Sequence, residues 1–137
     1  MTDIFSKKKR SEIMSKIGPK DSKQEIFIRR LVHELGYRYR LHRKDLPGKP
    51  DLVFPKYKKV IFINGCFWHG HKNCKRAKLP ETNNQFWKEK IEKNIINDKA
   101  NQKELKRLGW DYLIVWQCDI KRKNIDILKK IIDDFLI

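Results

Sequence analysis

Apolar residues in the first third of the chain follow a helical period. Ser22, Lys23, Gln24 and Glu25 have the S-x-x-E form of a capping box, and Phe27, Ile28, Leu31, Val32 and Leu35 then recur at helical spacing up to Gly36. The pattern predicts a helix from about Lys23 to Leu35. From Tyr37 to Leu41 aromatic or apolar residues alternate with basic ones, as in a half-exposed strand, and Pro47-Gly48 marks a turn. Asp51 therefore opens a new element. Two short apolar runs, Leu52 to Phe54 and Val60 to Ile63, flank a turn from Pro55 to Lys59 and predict an antiparallel hairpin.

From Asn64 to Glu81 no period is visible, and a loop of that length calls for an internal brace. Thr82 and Gln85 can cap a long polar helix that runs to about Leu108 and ends at Gly109. Tyr112 to Trp116 reads as a buried strand and Asp126 to Leu136 as a closing amphipathic helix. A strand, a long helix and a second strand imply a right-handed crossover, hence an α/β fold with a mixed sheet flanked by helices.

Length and charge narrow the class. A chain of 137 residues leaves room for one domain, expected over residues 21–137 behind a solvated basic arm at residues 1–20 that can track phosphate. Lys plus Arg number 33 against 17 Asp plus Glu, a net charge of +16, which makes a polyanion the default partner. No apolar run approaches the roughly 18 residues of a membrane span, and the basic start, Lys7 to Arg10, has no apolar region behind it. The expectation is a cytoplasmic protein without a membrane partner.

Three cysteines cannot all pair within one chain, and a reducing compartment disfavours disulfides. Cys66, His71 and Cys74 fall in the unbraced loop, and Cys118 lies just beyond the last strand, a possible tetrahedral Cys3His zinc set that would tie the two together. The plain alternative is three small buried hydrophobes and an exposed histidine. His69 and His71 can also exchange roles at the metal.

In so basic a chain the acidic positions are informative. Asp51, after Pro50 at the mouth of the hairpin, can hold a hard divalent cation, with a backbone carbonyl near Ile63 or Asn64 and waters completing a magnesium shell and Glu25 adding an outer acceptor. Magnesium there would polarise a phosphate and lower the pKa of water. The alternatives are a turn residue for Asp51 and the capping box for Glu25. His69 is placed to act as general base or acid. His33 reads as an ordinary helix residue and His42 as part of a basic loop. Phe67 and Trp68, with Phe86 and Trp87, put four large rings beside this region; they either cover the metal site or form a wedge that unstacks base pairs. Unstacking costs least at a mismatched pair.

These residues carry a resemblance to the very short patch repair DNA mismatch endonucleases, the Vsr family. It rests on Arg10-Ser11 with Met14 and Ile17, Leu46-Pro47-Gly48-Lys49-Pro50-Asp51, Val60-Ile61-Phe62, Gly65-Cys66-Phe67-Trp68-His69-Gly70-His71, Phe86-Trp87 with Lys90-Ile91 and Lys93-Asn94, Leu108-Gly109-Trp110, and Ile114-Val115-Trp116 with Cys118. These blocks span nearly the whole chain in order. The resemblance implies a restriction-endonuclease-like fold, related to the PD-(D/E)xK nucleases. It implies an enzyme that nicks duplex DNA 5′ to the thymine of a T:G mismatch left by deamination of 5-methylcytosine. It also implies that Asp51 and the carbonyl of Ile63 hold magnesium, that His69 is a catalytic base, and that Glu25 sits near the active site. Cys66, His71, Cys74 and Cys118 would hold zinc, and Phe67, Trp68 and Trp87 would intercalate, with Lys49 and Arg43 also contacting DNA. Expected functional partners are a cytosine-5 methyltransferase and mismatch-repair proteins, with the enzyme a monomer that joins the nucleoid when acting.

Two positions depart from the family pattern. Asn64 stands where a second active-site histidine is expected; asparagine can hold a phosphate or a water but cannot exchange a proton near neutral pH. The spacing from His71 to Cys74 carries one extra residue. Two other readings stay open: a related nicking or restriction nuclease that needs no mismatch, with which Asp51 and His69 are equally compatible, and an inactive zinc-braced DNA-binding module, favoured if Asn64 marks lost chemistry.

Overall fold

The computed structural model describes residues 23–41, 43–72 and 74–137. The expected basic arm, with Ser22 of the capping box, Met14 and Ile17, and also His42, lies outside the described residues. Helix α1 spans Lys23–Glu34, one residue short of the expected end. Strand β1 is only Arg40–Leu41, shorter than the run from Tyr37 predicted by alternation, and is followed by β2 Leu52–Phe54, β3 Lys59–Asn64, helix α2 Asn84–Arg107, β4 Asp111–Trp116 and helix α3 Ile125–Leu136. The four strands lie in the order β1-β2-β3-β4, antiparallel except for the parallel β3–β4 pair that α2 connects, so the predicted hairpin and mixed sheet are both present.

The sheet alternates as strand geometry requires. Leu52, Phe54 and Ile61 face one way, with Ile63, Leu113 and Val115, and pack on Ile28, Leu31 and Val32 of α1 and on Leu128, Ile132 and Leu136 of α3. Val53 and Val60 face the other way, with Phe62 and Tyr112, onto Leu46 and Leu105. Each fully buried Leu or Ile contributes about 1.5–3 kcal/mol, so these two layers supply the drive that a lean composition needs. Among the described residues no helix is long and apolar enough to cross a membrane.

Two expectations need correction. Strand β4 is mostly half-buried, with only Val115 fully inside, because it forms an edge of the sheet. Nor do Thr82 and Gln85 cap α2: the cap position is Asn83, held in a left-handed conformation without a side-chain capping bond, and the Gln85 amide donates instead to Glu89 at 3.0 Å.

Strand directions set the site. β3 and β4 run parallel and both finish at one end of the sheet, where antiparallel β2 begins. Asp51, Asn64 and Gln117 meet there because the register pairs Leu52 with Ile61 and Asn64 with Trp116.

Candidate functional site

At that end a cleft of about 650 Å³ is lined by Lys49, Asp51, Asn64 and His69, and by Asp98 and its neighbours on α2. The backbone N–H of Ile63 donates to Oδ2 of Asp51 at 2.7 Å, and the Asp51 N–H donates to the Ile61 carbonyl at 3.2 Å. Asp51 is thus locked onto the end of strand β3, beside Ile63, whose carbonyl is the expected second donor. A fixed carboxylate next to backbone carbonyls offers the hard oxygen donors that magnesium takes. Asn64 is 6 % exposed and closes the cleft floor.

The loop after β3 is coiled tightly on itself. His69 N–H donates to the Gly65 carbonyl and His71 N–H to the Cys66 carbonyl, at 3.2 and 3.0 Å. On the outside of the coil, Nδ1 of His69 lies 2.6 Å from Oδ2 of Asp98. A carboxylate accepting from Nδ1–H leaves the basic lone pair on Nε2, the nitrogen then able to take a proton. One turn earlier on α2, the Asn94 amide donates to the Trp68 carbonyl at 2.9 Å. Consecutive loop residues are therefore gripped by consecutive turns of one helix.

Cys66, His71, Cys74 and Cys118 come together, their four ligand atoms all within 4.8 Å of one another. Donors around one tetrahedral ion with bonds of roughly 2.0–2.3 Å stand about 3.3–3.8 Å apart, so the four atoms need to close by about 1 Å at most to share one ion. His71 stacks on Trp116 with ring centres 4.1 Å apart and planes 8° apart, which fixes the imidazole against β4. Burial, with the Cys66 and Cys74 thiols alongside, pushes the Cys118 thiol up to about 12. Soft thiolates and an imidazole suit zinc, and an ion held by this set would tie the loop to the end of β4.

The rings cluster as well. Phe67, Trp68 and Trp87 meet edge to face with centres 5.5–5.7 Å apart, and Phe86 adds to Trp87 at 5.1 Å. Trp68 and Phe86 are exposed. The Lys90 ammonium lies 5.1 Å from the Trp68 ring centre and 5.6 Å from that of Trp87, a cation over aromatic faces.

The remaining expected residues sit as follows. Lys49 lines the cleft with a left-handed backbone, φ 49°. Glu25 is 1 % exposed and ion-paired with Arg29 on its own helix, while its neighbour Gln24 reaches the cleft. Arg43 is held by both oxygens of Asp45, at 3.0 and 2.5 Å, and lies over Trp110, outside the cleft lining. Sequence reasoning named Lys90 and Asn94 only as carriers of the resemblance, without a role, and missed Asp98, Asn101 and Gln102. Their spacing of three to four residues on a polar helix marks one stripe, and that stripe is the signal that could have found them.

The family described as DNA mismatch endonuclease Vsr matches residues 2–76. The chain is 46% identical over 125 residues to the type II nicking enzyme V.NmeAIP of Neisseria meningitidis serogroup A, covering 91% of this chain and 89% of that protein. It is 44% identical over 120 residues to the type II nicking enzyme V.XorIIP of Xanthomonas oryzae pv. oryzae, covering 88% of each. To the DNA mismatch endonuclease Vsr of Escherichia coli K12 it is 40% identical over 124 residues, covering 90% of this chain and 79% of that protein.

Proposed function

The chain belongs to the DNA mismatch endonuclease Vsr family and is a DNA endonuclease, and on that premise we propose that it nicks one strand of duplex DNA beside the thymine of a T:G mismatch, by magnesium-dependent hydrolysis. The observation that carries this reading is the Asp51 carboxylate and the His69–Asp98 pair facing one cleft, with an exposed ring cluster at its rim.

In this mechanism Asp51 and the Ile63 carbonyl would hold magnesium, which would offset charge on the scissile phosphate and favour ionised water. His69 takes the proton of the attacking water on Nε2, and Asp98 keeps the ring in the tautomer that can do so. Positioned proton transfer of this kind contributes about 10²–10⁴ in rate. Asn64 holds a phosphate oxygen or the water by hydrogen bonds and leaves the proton to His69. Glu25 acts from behind, fixing with Arg29 the helix turn that carries Gln24. Cys66, His71, Cys74 and Cys118 would hold zinc and so keep the His69 loop in shape.

Phe67, Trp68 and Trp87 enter the stack at the mismatch. Separating a base step costs a few kcal/mol and costs least where pairing is already weak, so insertion selects the mismatch. Lys49 contacts phosphate near the cleft and Arg43 reaches DNA after exchanging Asp45 for it. The reading extends to a monomer that works in the cytoplasm at the nucleoid, linked in function to a cytosine-5 methyltransferase and to mismatch-repair proteins. The names of two relatives, both type II nicking enzymes, favour a second reading, a strand nickase without mismatch selection.

The test is strand cleavage of labelled duplexes carrying T:G or T:A at one position in a panel of flanking sequences, with magnesium or with chelator. Magnesium-dependent nicking confined to T:G supports the mismatch reading. Equal nicking of T:A supports the second reading, and nicking that persists in chelator removes magnesium from both.

A further inference from the structure

A second groove, of about 920 Å³, opens at the other end of β2 from Asp51. From Asp51 to Pro55 the chain advances four residues, about 13 Å at roughly 3.3 Å per residue. Its walls are His33, Arg38, Arg40 and Lys56, and its floor is Tyr37 and Tyr39; no carboxylate lines it. An adjoining hollow shares His33 and Tyr39 and adds Arg30, and the one acidic side chain there that faces outward, Glu34, is held by Lys129 at 2.9 Å.

Arginine pairing singles this groove out. Arg29, Arg43 and Arg107 each hold a carboxylate. Among the described residues no carboxylate pairs with Arg30, Arg38, Arg40 or Arg122; Arg38 and Arg40 line this groove, and Arg30 lines the hollow that adjoins it. Planar guanidinium groups left without carboxylates match phosphate oxygens, which they can bind in pairs. The floor decides between bases and backbone. The Tyr37 hydroxyl donates to Asp133 at 2.7 Å and its ring packs edge-on to Tyr57, while Tyr39 packs edge-on to Phe54. Rings anchored in this way make a rigid floor beneath the basic side chains, which suits a backbone contact.

We propose that this groove binds the phosphate backbone of the duplex flank that extends from the cleft, as a second, sequence-independent contact. It rests on the chain's being a DNA endonuclease and not on mismatch selection. One duplex suffices as occupant, because about 13 Å is less than the width of the double helix and B-DNA carries a charge every 1.7 Å of its axis. The contact lengthens the footprint and leaves the chemistry at Asp51 untouched.

The experiment uses the full chain and the variant Arg38→Glu with Arg40→Glu, which keeps β1 charged as an exposed sheet edge requires. Affinity for a matched T:A duplex of two helical turns, about 20 base pairs, is measured across salt. A charge-matched control carries Lys123→Glu and Lys130→Glu. The groove variant should bind at least about tenfold more weakly than the wild-type chain and the control, with a salt slope lower by about 2, as expected for two phosphate contacts removed. Its nicking rate at saturating enzyme should equal wild type. Affinity and salt slope kept by the groove variant overturn the proposal. So does an equal loss in the control, which makes the effect one of net charge, or self-association of the groove variant, which makes edge protection the role of these arginines. Because binding is read on matched duplexes, failure of mismatch selection leaves this result standing.

Discussion

His69 and Asp98 are 29 residues apart in the chain and 2.6 Å apart in space, Nδ1 to Oδ2. The helix supplies the carboxylate and the coiled loop supplies the imidazole, so the pair forms only when α2 and the loop are packed together. Asp98→Asn keeps the shape but removes the charge and the certainty of the tautomer, and nicking should fall by about 10²-fold. Affinity for duplex and zinc content should not change. Because the two residues act as one unit, adding Asp98→Asn to His69→Ala should cost nothing further. Additive losses in the double variant would show that Asp98 serves something other than His69.

Gly70 lies between that histidine and the ligand His71, with φ 60°, and a Cβ there would come within 2.5 Å of the Ile95 side chain and 2.9 Å of Ile91. Both the left-handed backbone and the crowding oppose any other residue. Gly70→Ala should destabilise by about 2–3 kcal/mol from overpacking and backbone strain together. Melting temperature, zinc content and nicking should fall together, since one loop carries all three. A variant that melts as wild type would mean that α2 can retreat from the loop.

Lys49 presents the opposite case, a side chain tolerated at φ 49° beside the cleft. The preceding Gly48 is pressed against Phe62 and Asn101, where a Cβ would stand 3.1 and 3.2 Å away, so the turn cannot relax outward. Strain held in this way gathers at functional positions. Lys49→Gly should leave the melting temperature unchanged or higher while duplex affinity and nicking fall. A drop in stability with activity intact would place Lys49 among the structural turn residues.

The hairpin, the long helix, the closing helix and the metal-ligand quartet were legible because each leaves a local mark: period-two or helical spacing, a glycine stop, or clustered cysteines. Edges were less so. Alternation from Tyr37 to Leu41 reflects which side chains face the core, but only Arg40 and Leu41 find a partner strand, opposite Val53 and Leu52. The apolar run Tyr112 to Trp116 looks like a central strand, yet strand order leaves it at the margin. Asp98 was hidden for a different reason. On a long polar helix one aspartate among many charges has no local distinction, and only the register of α2 against the His69 loop gives it a role.

Tyr37 and Asp133 clamp the chain leaving α1 to α3. The hydrogen bond to Asp133, more than burial, pushes the phenol up to about 12. A raised folded pKa means that the contribution is complete below the unfolded value of about 10 and is lost as pH climbs through the folded value. Tyr37→Phe should therefore destabilise by about 1 kcal/mol near neutrality. Melting of the two chains should converge as pH rises beyond about 10. A gap that stays constant across that window would assign the loss to packing alone.

The metal quartet carries its own pH signature. With burial holding the Cys118 thiol up to about 12, that group is protonated near neutrality while the site holds no ion. An ion binds thiolate, so occupation must expel this proton, and apparent zinc affinity should rise at least about tenfold per pH unit. Chelator competition between about pH 6.5 and about pH 8.5 reads this slope. Cys118→Ser should bind zinc more weakly and with a shallower slope, and Cys74→Ser should lower both zinc content and melting temperature. The loop then loses its tie to β4, so His69 loses its position, and nicking should fall even though neither cysteine lines the cleft. A slope and an affinity in Cys118→Ser equal to those of the unaltered chain would mean that Cys118 binds no metal and that the other three donors hold the ion without it.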